Sequence, residues 1–296
     1  MERETLVNVE LPLKLFKKGK VRDIFEIEEK LLLVATDRIS AFDVVMPTGI
    51  PGKGKVLTQI SRFWFKFTEG MIKNHLITAD IEEFPEELKR FSSVLDKRSM
   101  LVGKVVPIPV ECIVRGYLAG GGWKEYAQRQ GIGGIKLPAG LKPGSKLPKP
   151  IFTPTTKEES GHDIQLTFNE LSGRVGKKEA ELLRDTSLEI YRVTSKYAEE
   201  RGIIISDTKF EFGHLDGNII LIDELLTPDS SRFWLMEDYE EGKMPPGLDK
   251  QYLRDYLETL NWDKKPPGPS LPEEIVKNIQ KRYLEAYRRI TGEEDV

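Results

Sequence analysis

Hydrophobic positions recur along this chain with two spacings, and the changes of spacing mark out its elements. Near the start, GKVRDIF at 19–25 and LLLVAT at 31–36 are short apolar or alternating runs bounded by charge, which predicts strands. Val56, Leu57, Ile60, Phe63, Trp64 and Phe67 then repeat at helical spacing, so 55–67 is predicted as a helix with its aromatics in the core. LVGKVVPIPVECIV at 101–114 returns to strand character. Pro107 and Pro109 cannot donate to a ladder, so this reads as two strand pieces with a break. The break predicts a boundary between a smaller β-rich domain, 1–106, and a larger one, 107–296.

A stretch rich in Pro and Gly runs from Ile132 to Glu159; it is too long for a plain connector and is expected to fold over a site. Leu183, Ser187, Ile190, Tyr191, Thr194, Tyr197 and Ala198 line one face of a predicted helix, with Gly202 just past its end. Asp249 to Leu260 also reads as helical. Ser270-Leu271-Pro272-Glu273 has the capping-box pattern ahead of the stripe Ile275, Val276, Ile279, Tyr283, Tyr287, Ile290. Strands dominate early and helices mix with strands later, which predicts an α+β fold rather than a doubly wound sheet.

Composition narrows the function. The chain has 296 residues, 39% hydrophobic and 31% charged, with net charge -3. That balance argues against general binding to nucleic acid or acidic membranes, so any polyanion site must be a local basic pocket. The one cysteine, Cys112, excludes an intrachain disulfide and a cysteine-cluster metal site; it reads as a small buried residue. The start lacks the pattern of a signal peptide, and no apolar run approaches the ~20 residues of a membrane span, so a cytoplasmic protein is expected. His75, His162 and His214 are scattered without metal-ligand spacing.

The densest chemistry lies in GIIISDTKFEFGHLDGNIILIDELLTPDSSRFW, 202–234. It reads as two strands joined by a short turn. Asp207, Lys209 and Glu211 share one face, Phe210 and Phe212 the other. A two-residue turn at Asp216-Gly217 sets Glu211 opposite Ile222 and Lys209 opposite Glu224. Glu224 then joins the charged face and Asp223 the Phe face, whereas a three-residue loop sets Asp223 opposite Glu211. Either register brings together two carboxylates, a donor set suited to Mg²⁺ with phosphate oxygens. The plainer alternative is a cross-strand ion pair of Lys209.

Further basic elements are weak one by one and consistent together. GKVR at 19–22 opens a strand, TDRISAFD at 36–43 follows one, and GIPGKGK at 49–55 offers backbone amides and two lysines. Arg115 sits at a strand end before a glycine-rich turn, and PDSSR at 228–232 adds a second arginine with two hydroxyls. No Gly-x-Ser-x-Gly elbow or Walker A loop is present, so a nucleophilic hydrolase is not expected.

Six motifs, in order over nearly the whole chain, are GKVRD at 19–23, DRISAFD at 37–43, PVECIVRGYLAG at 109–120, IFTPTTK at 151–157, SDTKFEFG at 206–213 and DELLTPDSSRFW at 223–234. On these the chain resembles the long-form SAICAR synthetases of purine biosynthesis. The resemblance implies a two-domain α+β fold related to ATP-grasp and protein-kinase architectures. It implies ATP and Mg²⁺ as cofactors, and CAIR (the carboxyaminoimidazole ribonucleotide) and L-aspartate as small-molecule substrates. Nucleic acid and membranes are not expected partners, and a homo-oligomer is left open.

By the same resemblance Lys20 and Arg22 lie over the ATP phosphates, Lys104 to Val106 meet adenine, and Glu211 with Asp223 or Glu224 holds Mg²⁺, Glu211 and Glu224 also belonging to the ATP site. Asp37, Ser40, Arg115, Lys209, Asp229, Ser231 and Arg232 are assigned to the substrates, with Lys209 and Asp207 as the catalytic pair. Many members carry Ser where this chain has Gly121, which removes one hydroxyl from the expected site. Counting back from Pro228, the metal-binding Asp of short-form members aligns with Glu224. The competing classes are another phosphotransferase on a related scaffold, which would not need both Arg115 and Arg232, and a non-catalytic nucleotide-binding module, which would not need paired metal carboxylates.

Overall fold

The computed structural model describes residues 5–157 and 163–296, so His162 and the end of the expected loop at Glu159 lie outside the described residues. Two antiparallel sheets organise the chain. The first has five strands in the order Leu15–Lys18, Arg22–Ile27, Lys30–Ala35, Ser99–Gly103, Leu76–Thr78. Alternation in RDIFEI turns Asp23, Phe25 and Ile27 inward and leaves Arg22, Ile24 and Glu26 half-buried. Asp23 is tolerated inside because the Arg38 guanidinium pairs with it at 2.7 Å.

The second sheet is built around the 13-residue strand Ile203–Leu215. On one edge it pairs with Val110–Tyr117 and, further along, with Val106–Pro107. Its other edge is shared by Asn218–Ile222 and Ser231–Leu235. Lys146–Phe152 and Thr155–Thr156 lie outside Val110–Tyr117. Part of the proline-rich stretch, 146–152 and 155–156, is therefore edge strand. Its register breaks between Lys146 and Ile151, where Pro148 and Pro150 have no amide to donate.

Helices cover these sheets. Lys177–Glu199 lies on the long strand, with the Tyr191 hydroxyl donating to the Ile205 carbonyl at 2.5 Å. A Cβ on Gly116 would stand 2.0 Å from that hydroxyl, so this glycine serves helix packing and not a ligand. Lys53–Phe67 packs against the last helix, Glu273–Thr291. That last helix starts after Pro272 without a side-chain cap; the capping box is instead formed by Thr167 and Glu170. Leu33 of the first sheet, Phe210 of the second, Trp64 and Tyr283 belong to one continuous hydrophobic core. Strand pairing passes from one sheet to the other between Gly103 and Val106 while the core runs through both. Among the described residues no helix is long and apolar enough to cross a membrane.

A short strap stitches the sheets together. The Leu221 amide donates to the Lys73 carbonyl (2.9 Å), the His75 amide to the Leu221 carbonyl (3.0 Å), and the Gly103 amide to the His75 carbonyl (2.8 Å). The His75 ring Nε2 lies 3.2 Å from the Asp223 carbonyl oxygen. Burial holds this imidazole down to about 4, so it is neutral at physiological pH and donates from Nε2.

A histidine with a lowered folded-state pKa costs stability as pH falls from its unfolded value toward its folded one, because the unfolded chain then binds the extra proton. The stability advantage of the wild type over His75→Gln, from urea unfolding, is expected to shrink by about 3 kcal/mol between pH 7.5 and about pH 4. A pH-independent difference would contradict a buried neutral imidazole.

Candidate active site

The site exists because two strands share one edge of Ile203–Leu215. The chain leaves that edge at Ile222 and rejoins it at Ser231, opposite Thr208. The intervening loop is set against the face that carries Asp207, Lys209 and Glu211. Pairing runs as the two-residue turn requires, from Leu215–Asn218 to Glu211–Ile222. The expected continuation to Lys209 opposite Glu224 does not form. Asp223 turns away with φ 68, and the Lys209 amide donates to the Ser230 carbonyl at 3.0 Å. Aspartate tolerates this left-handed conformation better than most residues. The turn brings Asp223 to the cavity rather than to the Phe side, together with Glu224. Leu225 and Leu226, fully buried, pin the loop to the core, and Thr227 closes its far end by accepting from the Ser230 and Ser231 amides.

A cavity of about 660 Å³ opens between the sheets, lined by Lys20, Arg22 and Ser40 on one side and by Lys157, Lys209, Glu211, Asp223, Glu224 and Asp229 on the other. Its charges are paired. Arg22 lies 3.0 Å from Asp223 and 3.3 Å from Glu224. Lys209 lies 2.5 Å from Glu111 and 2.9 Å from Glu211, which also meets Lys157. Asp229 is fully buried between Lys53 (2.8 Å), Lys250 (2.9 Å) and the Tyr283 hydroxyl (2.6 Å).

Burial opposes each of these charges, and the partners decide the outcome. The Arg22 and Lys209 cations, burdened by desolvation, are still held above their usual ranges by the acids around them. Asp223, despite its burial, is drawn down to about 2 by Arg22. Asp229 is likewise lowered by Lys250 and Lys53, whereas burial pushes Glu224 and Glu111 up.

Beside the cavity, a recess of about 70 Å³ is lined by Asp207, Asp229, Ser231, Arg232 and Lys250 among others. Here three adjacent strands set Arg115, Asp207 and Arg232 in one row of the sheet. Asp207 accepts from Arg115 at 3.1 Å and from Arg232 at 2.7 Å. Arg115 Nε donates to Thr153, while Arg232 Nε is buried with no partner. Gly120, at φ 50, leaves room for this arrangement: a Cβ there would stand 2.2 Å from the Arg232 guanidinium. The same Cβ on Gly121 would meet open space, so a serine fits there sterically. Ser231 Oγ is engaged with Thr208 Oγ1 at 2.8 Å.

Not every expected residue is part of this cluster. Asp37 is a structural anchor, fully buried, pairing with Arg98 at 3.1 Å and accepting from the Leu6 and Gly54 amides at 2.9 Å; it does not line the cavity. Lys104 pairs with Glu26 at 3.1 Å and Val106 is 70% exposed, both outside the cavity lining. Lys20 does reach the cavity and pairs with Asp43. Sequence pattern assigns no individual role to Lys157 and Glu111, both inside the six motifs, or to Lys250 and Arg254, and it places Tyr283 in the apolar stripe of the last helix. Lys53 was grouped with anion-binding lysines but is spent on Asp229. Only Lys250 and Arg254, spaced i,i+4 at a predicted helix start, carried a local signal.

Among the described residues no group of three or more His, Cys, Asp or Glu side chains is arranged to hold a metal ion. Glu211 is turned to lysines and Asp223 and Glu224 to Arg22. The donors nevertheless suit Mg²⁺, which takes one or two carboxylates and fills its shell with phosphate oxygens and water. A second cavity, about 570 Å³ beside Phe63, Phe67 and Tyr287, holds none of these groups.

The family model described as SAICAR synthetase matches residues 15–269. The phosphoribosylaminoimidazole-succinocarboxamide synthase of Thermodesulfovibrio yellowstonii is 56% identical over 279 residues, 94% of this chain and 96% of that protein. The SAICAR synthase of Saccharomyces cerevisiae, solved with SAICAR, superposes with a TM-score of 0.89 at 42% identity, covering 98% of this chain and 99% of that one. A SAICAR synthetase solved with ADP gives a TM-score of 0.67 at 26% identity over 95% and 99%.

Removing the charge of Asp207 leaves the buried Arg115 guanidinium facing the half-buried one of Arg232. Asp207→Asn is expected to lower unfolding stability by about 3 kcal/mol in urea melts. A loss under about 1 kcal/mol, the range of exposed pairs, would show that the row is solvated.

Proposed function

The chain belongs to the SAICAR synthetase family, and on that premise we propose how its site works. It is an ATP-dependent ligase that joins L-aspartate to the carboxylate of CAIR, giving SAICAR, ADP and phosphate, in purine biosynthesis. The observation that carries the site reading is the Arg115–Asp207–Arg232 row opening beside the cavity of Glu211, Asp223 and Glu224. A sugar phosphate at the row puts the base of the ribonucleotide toward the carboxylates, where a triphosphate belongs.

The chemistry needs activation because a carboxylate resists amine attack: its leaving group would be an oxide. A carboxylate oxygen of CAIR attacks the γ-phosphorus, and the bond to the ADP oxygen breaks. The aspartate amine then attacks the acyl carbon of this acyl phosphate, phosphate leaves with the bonding electrons, and the amine gives up a proton. Alignment and neutralisation are what the protein must supply. Lys20 and Arg22 neutralise the ATP phosphates, and adenine extends beyond the cavity lining to the Lys104 to Val106 segment, where the chain passes between the two sheets. Arg115, Arg232 and Ser231 hold the ribonucleotide phosphate, with Asp207 positioning both arginines. Lys209, at the junction, neutralises charge on the reacting carboxylate, and Ser40 and Asp229 border the substrates. Glu211 with Asp223 or Glu224 would hold Mg²⁺, which when bound offsets phosphate charge. Asp37 has no part in this scheme, since all its contacts are structural.

Purified protein with ATP and Mg²⁺ is expected to release ADP only when CAIR is added, and to form SAICAR only when L-aspartate is present too. Coupled ADP release and chromatography of the products read both. Equal ADP release on unrelated carboxylate acceptors would refute the ligase reading. Glu211→Ala is expected to lower kcat at least about 100-fold while its melting curve stays cooperative. Cys112→Ala, in the core and away from the cavity, should leave kcat within about 2-fold.

A further inference from the structure

The cavity must accept three anions, and its cations are mostly committed. Lys20 is paired with Asp43, Arg22 with Asp223 and Glu224, Lys157 and Lys209 with Glu211, and Lys250 with Asp229. Of the basic side chains that line it, Lys17 and Arg254 have no carboxylate within ion-pair distance among the described residues. Lys17 is exposed on the outermost strand of the first sheet, at the rim. Arg254 lines both the cavity and the adjoining recess.

Its placement is built, not incidental. Leu253 and Leu257, both buried, seat the helix Gln251–Glu258, and Lys250 one turn back is locked to Asp229 at 2.9 Å. Arg254 is half-buried, and its side chain reaches Gln251 Oε1 only at 3.4 Å. Asp249, buried in the recess wall, feels its charge but gives its own oxygens to the Phe233 and Gln251 amides at 3.2 and 2.6 Å. Arg254 thus carries an uncommitted guanidinium where the two compartments meet. The sugar phosphate has the Arg115–Arg232 row and the triphosphate has Lys20 and Arg22; of the two unpaired cations, Lys17 lines the cavity alone, whereas Arg254 lines both compartments, where a dicarboxylate substrate has to lie.

We infer that Arg254 is a specificity-determining residue that binds a carboxylate of L-aspartate, presenting the amine to the junction between cavity and recess. A guanidinium holds a carboxylate through two parallel hydrogen bonds, which fixes orientation as well as position. This rests on the ligase reading above.

Steady-state kinetics of Arg254→Met test it, with Arg254→Lys as the charge-retaining control. KM for L-aspartate is expected to rise about 10- to 100-fold in the Met variant and less in the Lys variant, with KM for ATP and CAIR within about 2-fold. Should the Met variant not fold, the Lys variant still decides, since losing the fork raises KM for L-aspartate alone. A rise in KM for CAIR instead, or unchanged KM values throughout, overturns the inference. A wild type that forms no aspartate-dependent product sinks the ligase reading itself, a separate and distinguishable failure.

Discussion

Mutual neutralisation of buried charge is the constraint on which the rest of this structure depends. Glu211, Glu224 and the Asp229 carboxylate are buried and Asp223 is half-buried, in surroundings that would penalise any one of them as a lone ion. They persist because lysines and arginines from distant parts of the chain meet them there. Asp207 is held the same way between Arg115 and Arg232. Such pairs contribute little net stability against an apolar replacement. Their effect is to line a cleft with charges whose positions are fixed by their partners.

The loop between Ile222 and Ser231 connects that electrostatic frame to the fold. Contacts from the first sheet and its helix converge on it: Arg22 on Asp223 and Glu224, the His75 ring on the Asp223 carbonyl, and Lys53 on Asp229. Tyr283 of the last helix also ends on Asp229. A change in the spacing of the two sheets would therefore be felt at the carboxylates first. The two buried leucines of the loop resist such movement, so the loop is a rigid carrier of charge and not a mobile flap.

Much of the fold was legible locally. The helix stripe of Val56 to Phe67, the hairpin turn at Asp216-Gly217 and the alternation of Asp207, Lys209 and Glu211 each follow from side-chain geometry within a few residues. Failures came where partners were remote. Asp37 looked like a site residue because it follows a buried strand; Arg98, 61 positions away, makes it an anchor. The edge-strand pairing within the proline-rich stretch was hidden for the same reason, since it is non-local and prolines are admitted at an edge, while Lys157 at its end does reach the cavity. Glu224 was correctly brought to the charged face but for an incomplete reason: the ladder stops at Ile222, and a left-handed turn at Asp223 delivers both acids.

By itself, the sequence determined which side chains share a strand face, where the chain turns, and that the clustered carboxylates needed positive partners, from the chain itself or from a ligand, because these follow from backbone periodicity and from the cost of burying charge. Only the tertiary structure decided which cation answers which acid. Lys53 and Lys250 close on Asp229, Arg22 on the 223–224 pair, and Arg254 is left over. Ion pairing is set by distance in space, and a chain that brings residues 22 and 223 within 3.0 Å leaves no trace of that contact in local spacing.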